Sequence, residues 1–79
     1  MYYVYILQSI NHPDRYYTGL TENLENRLKS HNHGQSTYTN KYKPWKIKTY
    51  IAFSEKQRAL DFERYIKSPS GRAFAKKRL

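Results

Sequence analysis

Cysteine is absent from the 79-residue chain, so neither a disulfide nor a thiolate zinc site can compensate for a small core, and nothing points to an oxidising compartment. Acidic residues are scarce: six Asp and Glu stand against fifteen Lys and Arg, a formal charge of +9. No apolar run is long enough for a membrane span or a signal peptide, and no basic region precedes the apolar opening Tyr2-Tyr3-Val4-Tyr5-Ile6-Leu7. The expected location is cytoplasmic. Internal repeats and low-complexity segments are also lacking. The length fits one domain over residues 1–79, near the lower end at which an unstapled core sustains a fold.

What the chain has in quantity is tyrosine. Nine Tyr, three Phe and one Trp make 16% aromatics, and a tyrosine ring can pack inside while its hydroxyl reaches water. The cations run from Arg15 to Arg78 rather than forming a tail. Such a balance favours a polyanionic partner over a merely soluble basic surface or a ribosome-associated role, but it specifies no chemistry.

Periodicity supplies the elements. Tyr2–Gln8 and Tyr16–Leu20 are rich in aromatic and β-branched residues and read as strands, joined through the turn formers Asn11-His12-Pro13-Asp14 into an antiparallel hairpin. Leu24, Leu28 and His31 then fall at helical spacing, with Thr21 or Asn23 as N-cap and Gly34 as C-terminal stop. Residues 34–44 are polar and basic without a period and read as a loop. Trp45, Ile47, Thr49, Ile51 and Phe53 alternate with polar neighbours as a third strand. Ser54-Glu55-Lys56-Gln57 resembles a capping box ahead of a helix that ends near Ser68, where Pro69 interrupts it. The basic end from Gly71 reads as a short helix or an ordered tail. The expected fold is α+β, in the order strand, strand, helix, strand, helix, helix, around a three-stranded antiparallel sheet.

Several polar positions lack an obvious structural role. Tyr5 is expected roughly opposite Tyr17, and Gly19, on the same face, would leave space beside the two phenols, although a plain cross-strand aromatic pair is the commoner reading of the two taken alone. Arg27 and His31 share a helix face bordering the core, suited to a phosphate and to a phenol proton, although an exposed arginine and a packed histidine are the commoner reading of each alone. Glu63 stands at the edge of an apolar stripe made by Ala59, Leu60 and Ile66. It can pair with Lys67 four residues on, or it can hold a divalent ion whose shell water and phosphate complete.

These positions, in this order, resemble the GIY-YIG nuclease superfamily, in particular its small stand-alone members, from about Tyr2 to the C-terminus. Tyr3-Val4-Tyr5 and Tyr17-Thr18-Gly19 correspond to the two half-motifs, Asn23 to Leu28 followed by His31 to the catalytic helix, and Ala59 to Lys67 to the segment bearing the metal glutamate. The resemblance implies a divalent-metal-dependent endonuclease. Glu63 would hold Mg²⁺ or Mn²⁺ at the leaving oxygen, Tyr5 or Tyr17 would activate water, Arg27 would neutralise phosphoryl charge, and His31 would orient or deprotonate a phenol.

Two positions depart from the family pattern: Tyr3 stands where the first half-motif has glycine, and no asparagine follows Asn40. The alternative is therefore a weakly catalytic or non-catalytic DNA- or RNA-binding module with the same fold. The expected partner is nucleic acid, DNA ahead of RNA, with low sequence specificity, no membrane and no small-molecule cofactor. Lys41, Lys43, Lys46, Lys48 and Arg72, interleaved in part with Tyr38, Tyr42 and Trp45, are the candidate phosphate contacts. Of these aromatics, Trp45 is expected to pack in the core.

Overall fold

A computed structural model describes residues 1–79. Strands β1 (Tyr2–Ser9) and β2 (Tyr16–Thr21) form the expected hairpin, followed by α1 (Leu24–Asn32), α2 (Thr37–Lys41), β3 (Trp45–Phe53), α3 (Lys56–Lys67) and α4 (Pro69–Arg78). The architecture is α+β, with an antiparallel sheet in the order β2-β1-β3.

The central strand accounts for the apolar opening of the chain. With a neighbour on each edge, β1 buries both faces: Val4, Tyr5, Ile6 and Leu7 are all buried. Alternation sends Tyr5 and Leu7 to one side, where they form a core with Trp45 against Leu24, Leu28, Tyr42 and Ile47. Val4 and Ile6 point to the other side, which α3 covers through the buried Ala59 and Ile66. Full burial of a side chain such as Leu7 contributes about 1.5–3 kcal/mol.

β3 departs from simple alternation. Leu7 pairs with Ile47 but Ile6 pairs with Thr49, so Lys48 is an extra residue, a β-bulge. Trp45 and Ile47 consequently face the core on the α1 side, while Phe53 packs on Phe62 of α3 with ring centroids 5.4 Å apart. The alternation from Trp45 to Phe53 does not mark one continuous face, because the bulge reverses side-chain parity midway.

Helix ends follow the expected chemistry with one exception. Asn23 caps α1 by accepting from the Asn26 amide, and Gly34 follows its end with φ 80°, a value that favours glycine. Ser54-Glu55-Lys56-Gln57 forms no capping box: Glu55 is the N-cap without a side-chain hydrogen bond, and its carboxylate is taken instead by Arg58 Nε at 2.9 Å.

Residues 34–44 were expected to be a loop, but they contain α2. Its hydrophobic period is missing because the turn is held by polar contacts: Ser36 and Thr39 form a reciprocal capping box, and the Thr39 carbonyl accepts from Trp45 Nε1 at 2.9 Å. Pro69 both stops α3 and occupies the first turn of α4, with Ser68 capping the new helix through the Gly71 amide. The C-terminal cations therefore stand on a helix rather than a tail.

Candidate active site

The register changes the expected relation of the two tyrosines. Tyr5 lies opposite Gly19, and Leu7 lies opposite Tyr17, so the phenols are diagonal neighbours on one face. The hairpin connection offsets the strands by two residues from a direct Tyr5–Tyr17 pairing. Gly19 does leave space, but Tyr5 itself fills it. A Cβ at Gly19 would overlap the Tyr5 hydroxyl and lie 2.6 Å from its ring Cζ. Glycine is thus required for the Tyr5 ring to cross β2.

The Tyr5 hydroxyl lies 3.0 Å from His31 Nε2, and both residues are buried, at 2% and 1% exposure. His31 is carried there by the last turn of α1. Asn32, its neighbour, ties that turn to β3 by donating to the Trp45 carbonyl at 3.2 Å. The Tyr17 ring packs on the same imidazole with centroids 4.6 Å apart. Its partial exposure contrasts with the burial of Tyr5.

Electrostatics set the resting charges of the pair. Burial pushes the Tyr5 phenol well above the ordinary phenol range; Arg27 opposes the shift, while Tyr17 and Glu63 reinforce it. Burial also holds His31 below its ordinary value, with Arg27 adding to the effect. Both groups are therefore neutral near pH 7; in the tautomer that carries its proton on Nδ1 the phenol O–H donates to Nε2. Nδ1 itself is buried with no hydrogen-bond partner. Moving the proton from Tyr5 to His31 would create an ion pair that burial disfavours; a nearby cation such as Arg27 favours its phenolate half and opposes its imidazolium half.

Glu63 comes from α3, and its charge adds to the upward shift of the Tyr5 phenol. It is partly buried, with its side chain 21% exposed, and Lys67 Nζ donates to its Oε2 at 3.2 Å. The pairing expected from the i,i+4 spacing is thus present. No group of three or more His, Cys, Asp or Glu gathers anywhere to hold a metal. One accessible carboxylate nevertheless suits a hard oxygen-seeking ion that keeps several waters, whereas the soft or closed coordination of structural zinc does not fit. The Ser68 hydroxyl, just beyond α3, donates to the Tyr65 carbonyl and accepts from the Gly71 amide.

The expected phosphate contacts separate into two groups. An open groove of about 890 Å³ borders Tyr17 and is lined by Lys48 and Arg72. Lys41, Lys43 and Lys46 are exposed but lie outside it; Lys41 instead sits 5.4 Å from the Tyr42 ring centroid. Trp45 is 2% exposed and serves the core, as expected. Tyr38 is partly exposed and anchored by donating its hydroxyl proton to the Tyr16 carbonyl at 3.0 Å. Lys67 and Lys76 also line the groove and were not singled out as contacts. The available signal was the helical spacing of Arg72 and Lys76, one turn apart on α4.

Comparison with known proteins agrees with the fold. A family model described as the GIY-YIG catalytic domain matches residues 1–78. The chain is 43% identical over 68 residues to a UPF0213 protein of Clostridium perfringens, covering 85% of this chain and 71% of that protein. It is 42% identical over 55 residues to a UPF0213 protein of Bacillus licheniformis, covering 68% of this chain and 57% of that one. The solution NMR structure of a UPF0213 protein from Bacillus halodurans superposes with a TM-score of 0.56 at 32% identity, over 96% of this chain and 81% of that one.

Proposed function

The chain belongs to the GIY-YIG family, and from that premise we propose that it is a divalent-metal-dependent endonuclease hydrolysing nucleic-acid phosphodiesters, DNA ahead of RNA. The observation that carries the reading is the buried Tyr5–His31 hydrogen bond at 3.0 Å, made possible by Gly19 and biased by Arg27 and Glu63. A phenol held against a neutral imidazole has somewhere to send its proton. This supports Tyr5 rather than Tyr17 as the base that activates water, with His31 as proton acceptor.

The remaining roles follow from charge. Arg27 is a fixed cation that favours the Tyr5 phenolate and can neutralise phosphoryl oxygens as negative charge builds. Tyr17 packs on His31 and holds the imidazole plane. Glu63 would hold Mg²⁺ or Mn²⁺ after releasing Lys67, and the ion would supply positive charge at the leaving oxygen. With no sequence-reading element beyond basic side chains in view, low sequence specificity is the corresponding expectation.

A second reading has its own observation. Lys67 occupies a Glu63 oxygen, and no asparagine follows on α3 or α4. Both favour a weak catalyst or a binding module. Incubation with single-stranded, nicked and branched DNA in Mg²⁺ or Mn²⁺ separates the two readings. The nuclease reading expects metal-dependent cleavage that falls at least about 100-fold in Glu63→Gln and in Tyr5→Phe, the scale of losing one transition-state electrostatic partner. Absence of cleavage by the wild type would leave the binding module, and cleavage undiminished in Glu63→Gln would overturn the reading of Glu63 as the metal-holding residue.

A further inference from the structure

The groove beside Tyr17 is not confined to one side of the sheet. Tyr17 and Tyr38 enter its wall from the side of the sheet that α1 covers, whereas Ile6, Thr18 and Ile66 belong to the side that α3 covers. Its lining thus draws on both sides of the outer strand β2, which has no further strand beside it, and reaches across β1 to Lys48 of β3. The lining joins Tyr17, whose ring stacks on His31, to Arg72, Ala75 and Lys76 of α4.

Cations line the far end, and the fold aims them there. Lys48 is the extra residue of the β3 bulge; the bulge turns it out of strand alternation to sit 5.5 Å from the Tyr16 ring centroid, inside the groove. Arg72 and Lys76 stand one turn apart on α4 with Ala75 between them on the same wall, and Lys67 is the last residue of α3. The α3–α4 corner is rigid: a Cβ at Gly71 would overlap the Tyr65 carbonyl oxygen and lie 2.6 Å from Ile66 Cα. Asp14 is the one acidic residue on the lining, and Arg15 lies 3.9 Å from it.

We propose that this groove is the track for one unpaired nucleic-acid strand, which leaves the Tyr17 end, rounds the β2 edge and lays its phosphates along Lys48, Lys67, Arg72 and Lys76. The groove combines the two elements that hold a single strand without reading its sequence, a cationic track and aromatic faces, here Tyr16 and Tyr38. A duplex presents a rigid double rail of phosphates and hides its base faces, so it can use neither the bend around the strand edge nor the tyrosine rings. The proposal rests on the nucleic-acid reading above but not on catalysis. Lys67 gains a second anionic partner when the strand is seated, which frees the Glu63 carboxylate it otherwise holds.

The test is equilibrium binding of the wild-type chain in EDTA, so that no cleavage is required. Fluorescence anisotropy is read with a labelled twelve-nucleotide oligothymidine and with a blunt duplex of the same length. The single strand is expected to bind more tightly. The Arg72→Ala/Lys76→Ala double variant is expected to lose about tenfold in strand affinity and to flatten the slope of log K against log salt by about 1.4, two phosphates at ~0.7 each. Lys41→Ala/Lys43→Ala, outside the groove, is expected to lose less than about threefold. Equal losses from the two double variants, or tighter binding of the duplex, would overturn the proposal. Failure of cleavage in Mg²⁺ with this binding pattern intact would sink the endonuclease reading alone.

Discussion

Gly19 is the residue on which the candidate site depends most directly, because its missing side chain is where the Tyr5 phenol lies. Gly19→Ala forces that ring away from His31, and overpacking of this kind costs about 1–3 kcal/mol. For a chain of this length, each kcal/mol lowers Tm by about 4–8 °C, measurable by calorimetry. Activity in Gly19→Ala should fall as far as in Tyr5→Phe. The Tyr5–His31 pair also makes stability depend on pH at both ends. His31 is held below its ordinary value near 6.5, so the unfolded chain binds a proton that the native chain refuses. Its stabilisation is complete above about pH 6.5 and is lost as pH falls toward the native pKa. Tyr5 is raised above 10.0, so its contribution is complete below about pH 10 and is lost at higher pH. Urea unfolding across about pH 5 to 11 should show both limbs, with His31→Gln removing the acid limb and Tyr5→Phe the alkaline one. The site's residue types were legible in the sequence because the two half-motifs, Arg27, His31 and Glu63 occur in order. The hydrogen bond was not, because strand offset and the depth of His31 depend on tertiary packing.

Among the elements, α4 joins α3 at a corner that leaves little latitude. Ser68 caps α4, Pro69 occupies its first turn, and Gly71 packs against the end of α3. Ser68→Ala removes the cap and should cost about 1 kcal/mol. Gly71→Ala should cost more and should weaken oligonucleotide binding as well, because its Cβ would push α4 and Arg72 off the groove; thermal melts and anisotropy read the two effects separately. The remaining elements differ in how plainly the sequence announces them. β1, β2 and α3 were legible because aromatic, β-branched or apolar residues repeat at the right interval. α2 was hidden because Thr39 is its one buried residue and hydrogen bonds, not an apolar face, hold it. The bulge was hidden for a different reason: burial still alternates from Trp45 to Phe53, so the pattern looks continuous even though the two halves serve opposite faces.

At the scale of the whole molecule, the sheet separates two tasks. On the α1 side lie the buried Tyr5, His31 and Trp45, with the partly exposed Tyr17 stacked on His31; on the other side, next to α3 and α4, lie exposed cations open to solvent. The molecule measures 30 × 26 × 18 Å, so these regions are only a few side chains apart and a single bound strand can reach both. A formal charge of +9 on so small a body attracts any polyanion, yet attraction from total charge and contact with particular phosphates leave different signatures. Total charge alone would make every Lys→Ala or Arg→Ala change equivalent, with a small and uniform loss of affinity. Specific contacts concentrate the loss in the residues that touch phosphate and remove a fixed part of the salt slope for each one. Single substitutions at Lys46, Lys48, Arg72 and Lys76, titrated between about 50 and 200 mM salt, should therefore divide into two classes. Lys48, Arg72 and Lys76 should each reduce the slope by about 0.7, whereas Lys46 should shift affinity without changing it.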